Sequence, residues 1–221
     1  MNATVPPAGS EPDALFLLAP GCAHCPIVLA ALGELLKEGR LGRLEAVNIA
    51  AHPEVAQMVG TRSVPWVQIG PYELSGVHSK RELAHWAELA AQGAGLGPYF
   101  SELLETGNLK QVLRRIRQQP EVLHDLLTLL EDEDTPLAAR VGVGAVLEEL
   151  QPEGLLKAVI PDLKALTRSP HAHTRADACH YLGLTGDRQL IPVIEPLLKD
   201  PDAQVREIAA DTLAELRSRR S

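Results

Sequence analysis

Two cysteines three positions apart, Cys22 and Cys25 in "LLAPGCAHCP" (residues 17–26), are the residues best placed to do chemistry. A Cys-x-x-Cys pair serves three purposes in proteins: dithiol redox exchange, half of a metal site, or a structural disulfide. The third cysteine, Cys179, lies far away in the chain. Zinc and iron–sulfur centres want about four ligands. A metal reading therefore needs a second copy of the chain, and we expect no metal. His24 sits between the two cysteines, where an imidazole can donate to, or electrostatically favour, a neighbouring thiolate.

The surrounding pattern places the pair. "ALFLLA" (14–19) is a short unbroken apolar run that ends at Pro20-Gly21, which suits a buried strand. "HCPIVLAALGELLKEG" (24–39) repeats Ile27, Val28, Ala31, Leu32, Leu35 and Leu36 at helical spacing, with Gly39 as a stop. Cys22 then stands just before a helix N-terminus, where free N–H groups and the positive helix end stabilise a thiolate. Cys25 falls one turn in, as a resolving thiol would. Further strands are expected at 43–49, 64–70 and 72–76, and helices at 52–60 and 79–92, the last opened by a Ser79/Glu82 capping box. The order is βαβαββα.

Composition narrows the class. The chain has 221 residues and a formal charge of −8, which argues against nucleic acid or an anionic membrane as the main partner. Residues 1–95 carry 6 basic and 9 acidic side chains, and residues 96–221 carry 15 and 20, so the acidity is shared. The apolar run at 14–19 is too short for a signal core or a membrane span. Three cysteines make no disulfide framework, and the expected compartment is the cytosol.

"QGAGLGP" (92–98) is the expected boundary, after which the pattern changes to Leu-rich helices broken by Pro, Gly and Asp. Three segments superpose: "RVGVGAVLEEL" (140–150), "RADACHYLGLT" (175–185) and "REIAADTLAEL" (206–216), at offsets of 35 and 31 residues. Each begins with an arginine and has a leucine seven residues on: Leu147, Leu182, Leu213. Second helices are expected at 155–170 and 189–202, and a degenerate earlier pair at 109–119 and 121–134. Arg140, Arg175 and Arg206 are expected to bond neighbouring repeat ends, and "EDED" (131–134) reads as a solvated helix end. Cys179 reads as a core thiol.

Two resemblances follow from these residues. "AHPEVAQMVGTRSVPWVQIGPYELSG" (51–76), together with the cysteine pair, resembles a thioredoxin domain over roughly 14–92. That likeness implies a cis proline at Pro65 facing the cysteines, with the Val64 backbone free to pair with an extended substrate. It also implies Trp66 in the substrate groove, or as a hydrophobic wall of the site. Three departures stand out: the family's Trp before the first cysteine is Gly21, its buried acid on the first strand falls on Phe16, and Trp66 replaces the usual Thr. The repeats, with "DAQVRE" (202–207) and "LKDPD" (198–202), resemble the HEAT family over roughly 105–217.

The expected architecture is a flexible tail (1–13), an α/β thioredoxin-like domain (14–95) and an all-α HEAT-like solenoid (96–221). The resemblance implies a thiol–disulfide oxidoreductase without a cofactor. Cys22 attacks, Cys25 resolves, His24 tunes, and Val64, Pro65 and Trp66 hold substrate. Its partners would be a protein client bearing a disulfide or dithiol, docked on the solenoid, and an electron donor or acceptor. The rival reading is a non-catalytic scaffold or redox sensor whose helical half does the binding.

Overall fold

The computed structural model describes residues 11–218, so the first ten residues of the expected tail lie outside the described residues. Pro12 and Asp13, also assigned to that tail, are tied to the fold: their carbonyls accept from the N–H groups of Gly42 and Gly70. The chain divides into two compact units, Met1–Leu96 and Gly97–Ser221.

In the first unit the elements run β1 (Ala14–Leu18), α1 (Cys25–Lys37), β2 (Leu44–Asn48), α2 (Pro53–Val59), β3 (Trp66–Ile69), β4 (Tyr72–Ser75) and α3 (Lys80–Gln92). The sheet order is β2-β1-β3-β4. β1 pairs in parallel with β2 and antiparallel with β3, and β3 pairs antiparallel with β4. The unbroken apolar run of β1 is explained by burial on both faces. Leu17 packs with Ala56 and Trp66 on the α2 side, while Phe16, also fully buried, points to the opposite face. α3 opens on the expected Ser79/Glu82 capping box. β3 begins two residues later than its apolar pattern, because Pro65 has no N–H to give the ladder; its carbonyl instead accepts from Gly76.

The second unit is helical: α4 (Gly97–Glu105), α5 (Leu109–Gln118), α6 (Leu123–Glu131), α7 (Leu137–Leu150), α8 (Ile160–Leu166), α9 (Ala172–Leu184), α10 (Ile191–Ile194) and α11 (Ala203–Ser218). α4 was not evident from the sequence, since the glycine-rich segment runs directly into its first turn. The second helices of the repeats are shorter than their apolar pattern. Residues Leu155–Val159 and Glu195–Lys199 form 3-10 turns, and Pro161, Pro192 and Pro196 each sit in the first turn of a new short segment. Proline removes an N–H and biases its predecessor away from helix, so one long helix cannot form.

The superposed repeat leucines, Leu147, Leu182 and Leu213, are all buried. The repeat arginines bond the ends of preceding segments. Arg175 donates to the carbonyls of Ser169 and Pro170, and Arg206 to those of Asp200 and Pro201. Arg140 donates to the carbonyls of Leu130 and Asp132. α9 and α11 meet at Gly183, where a Cβ would lie 2.5 Å from Cγ2 of Thr212. Ala at 183 gains about 1 kcal/mol in helix propensity. Overpacking costs about 1–3 kcal/mol, so Gly183→Ala is expected to lower the urea midpoint. Adding Thr212→Ser, which deletes the clashing methyl, should restore it; a stabilised single variant would show that the interface has slack.

Candidate redox site

The sheet brings the site together. In the β1–β3 register Leu17 faces Trp66, so the chain leaving β1 toward Cys22 and the chain arriving at β3 through Pro65 share one end of the sheet. Gly21, just before Cys22, has φ 80°, a conformation that glycine adopts freely and tryptophan does not. The local turn thus accounts for the missing tryptophan.

Cys22 and Cys25 are at disulfide distance, with Cα atoms 5.5 Å apart. Their surroundings differ. Cys25 is 5% exposed, at the start of α1, whereas Cys22 is partly exposed. The Cys25 backbone N–H donates to Cys22 Sγ at 3.1 Å. The N-cap residue, His24, makes no side-chain capping bond, and Pro26 brings no N–H. The Cys22 sulfur thus meets the first N–H of α1, one of the donors that the helix itself leaves unpaired, and this N–H favours negative charge on the sulfur. His24 is exposed.

The Val64–Pro65 peptide is cis, and Pro65 is buried. Neither the N–H nor the C=O of Val64 has a partner among the described residues. Trp66, expected in the groove, is 2% exposed and clusters with Leu17 and Ala56, and Val55 and Val59 of α2 pack against that cluster. Among the described residues of the first unit no Asp or Glu is buried, and Phe16 lies fully buried in the apolar core.

A sequence model for the thioredoxin domain matches residues 15–88, and one for HEAT repeats matches residues 160–221. The chain joins a thioredoxin-like domain to a C-terminal helical region with HEAT repeats. None of the curated proteins matches it. The helices between Gly97 and Leu150 lie outside the repeat match. No described helix is long and apolar enough to cross a membrane.

Cys179, on α9 of the repeats, is free and fully buried. Burial pushes its thiol up to about 11, with a hydrogen bond to Thr212 opposing this only in part. In the reduced, folded protein, iodoacetamide at pH 8 is expected to spare Cys179 and label it only after denaturation. Labelling at a rate comparable with Cys22, read by mass spectrometry, would show that α9 opens readily.

Proposed function

We propose that this protein exchanges dithiols and disulfides with a protein client, and that its helical half docks that client. The observation that carries this reading is the asymmetry of the pair: an accessible Cys22 whose sulfur accepts a helix N–H, beside a buried Cys25. In the reductive direction the Cys22 thiolate attacks a client disulfide. A mixed disulfide forms and one client thiolate leaves. The Cys25 thiolate then attacks Cys22 Sγ, closing the internal disulfide and releasing the second client thiolate. Two electrons pass to the client, and an external dithiol must return them.

The groove is built from backbone. The unpaired N–H and C=O of Val64 suit an extended client strand. HEAT repeats stack into extended binding surfaces, which supports client docking and a raised effective concentration at Cys22. The same reading places the reaction in the cytosol, where close cysteine pairs are more often catalytic than structural.

The deciding experiment is repeated turnover of a self-quenched peptide disulfide, with dithiothreitol as electron source. A stoichiometric burst with no further turnover would favour the redox-sensing scaffold.

A further inference from the structure

The end of the sheet that leads to Cys22 is nearly bare of charge. β1, β2 and β4 finish there and β3 begins there, because β1 runs parallel to β2 and antiparallel to β3, which runs antiparallel to β4. The segments that leave or enter the sheet at this end are residues 19–24, 49–52, 61–65 and 76–79. Arg62 is the only Lys, Arg, Asp or Glu among them, in a chain with 23% charged residues. Protein interfaces carry the same signal: charge is depleted at their centre while arginine is enriched.

Arg62 stands two residues before Val64, so their Cα atoms are at most about 7 Å apart. Its loop is tied at both sides. Gly60 caps α2 in the left-handed conformation, and the Thr61 hydroxyl donates to the Ser63 carbonyl and accepts from the Ser63 N–H. The Arg62 side chain is exposed and has no ion pair or hydrogen bond among the described residues. Arg40, Arg43 and Lys80 of the same unit each lie within ion-pair distance of a carboxylate. Glu54, in the first turn of α2, is met by His52 Nδ1 at 3.1 Å. A positive charge is thus left over beside the backbone that suits a client strand.

We infer that Arg62 selects clients that carry an aspartate or glutamate within a few residues of the reactive cysteine, and disfavours clients with lysine or arginine there. The inference rests on the dithiol-exchange reading and gives its client a chemistry. A strand laid along the Val64 backbone passes Arg62 whichever way it runs, because the two positions are neighbours in the same segment. A guanidinium presents a planar fork of N–H donors that matches a carboxylate. Even without direct contact, a unit charge at about 8 Å in water changes a rate roughly 2.4-fold. The sign reverses between glutamate and lysine, so their rates should differ about sixfold through Arg62 alone.

The test uses the reduced full chain carrying Cys25→Ser and three acetyl-X-Gly-Cys-Gly-X-amide peptides, with X as Glu, Gln or Lys. The peptide cysteine is joined in a disulfide to pyridine-2-thiol. The Cys22 thiolate attacks the peptide sulfur, a Cys22–peptide disulfide forms, and pyridine-2-thione leaves and is followed by absorbance. At low ionic strength the Glu-to-Lys ratio of rate constants is expected to fall about sixfold on Arg62→Ala, with the Gln peptide as reference. Arg62→Lys keeps the charge and should keep most of the ratio, and added salt should collapse it. A control, Lys37→Ala in the last turn of α1, removes the same charge elsewhere and should leave the ratio as it was. An unchanged ratio in Arg62→Ala, an equal slowing of all three peptides, or an equal fall in Lys37→Ala overturns the inference. Turnover by the chain with Cys25 intact is measured in parallel. A shifted ratio without turnover would fault the catalytic reading alone, and turnover with an unshifted ratio would fault this one alone.

Discussion

Cys22→Ser is expected to reduce turnover of a small-molecule disulfide to the uncatalysed rate, a loss of roughly a thousandfold or more, because a neutral hydroxyl does not replace a thiolate nucleophile. Cys25→Ser should behave differently. It should react once and stop, leaving Cys22 joined to the substrate as a mixed disulfide visible by mass spectrometry. Both variants should fold. Serine at 22 still offers an acceptor to the Cys25 N–H, and serine at 25 keeps the backbone N–H that meets Cys22 Sγ. The missing carboxylate sharpens the expectation for the native protein. With no buried Asp or Glu among the described residues of the first unit, nothing of that kind takes the proton from Cys25. Resolution of the mixed disulfide, followed by stopped flow, should then accelerate as rising pH increases the fraction of Cys25 thiolate. Equal labelling of Cys22 and Cys25 by iodoacetamide in the reduced protein would reverse or erase their assigned roles. A Cys25→Ser protein that still turns over would remove Cys25 from the mechanism.

Much of the first unit is legible because each element carries its own signal. β1 is apolar at every position since both its faces are covered, and α3 announces itself by a capping box whose two bonds both form. The cysteine pair is legible for the same local reason, as it sits between a strand and a helix start. What sequence leaves out is orientation. Trp66 is singled out by its place after Pro65, and only the fold shows its side chain buried in a cluster with Leu17 and Ala56. The helical unit shows the opposite problem. Its repeats are visible from Arg175 and Arg206 and their following leucines. Prolines then cut the second helices into 3-10 and α pieces that hydrophobic periodicity cannot separate.

Arg175→Met is expected to cost about 3–5 kcal/mol of stability, the range for breaking a buried pair and leaving one charge behind. Arg175 donates from Nε and Nη2 to the two carboxylate oxygens of Asp200 at 2.8 and 2.7 Å, and from Nη1 to the carbonyls of Ser169 and Pro170. The Asp200 side chain is 5% exposed and that of Arg175 13%. By contrast Arg217 and Glu195 form a pair that is about half exposed on both sides. Arg217→Met should therefore cost under about 1 kcal/mol. Arg175→Met/Asp200→Asn should recover part of the loss: the stranded charge is gone, and the Asn oxygen can still accept from the Asp202 N–H as Asp200 does. pH adds a separate signature. The Arg175 hydrogen bond holds the Asp200 carboxyl below the usual carboxylate range. A carboxylate whose folded pKa is depressed contributes stability above its unfolded value, about 3.9, and loses it as pH falls through the folded value. The stability gap between native and Arg175→Met proteins should be constant near neutral pH and narrow below about pH 4. Urea unfolding of both proteins across pH 3–7, with a gap that is small throughout or that widens in acid, would show that the Arg175–Asp200 link does not hold the successive repeats together.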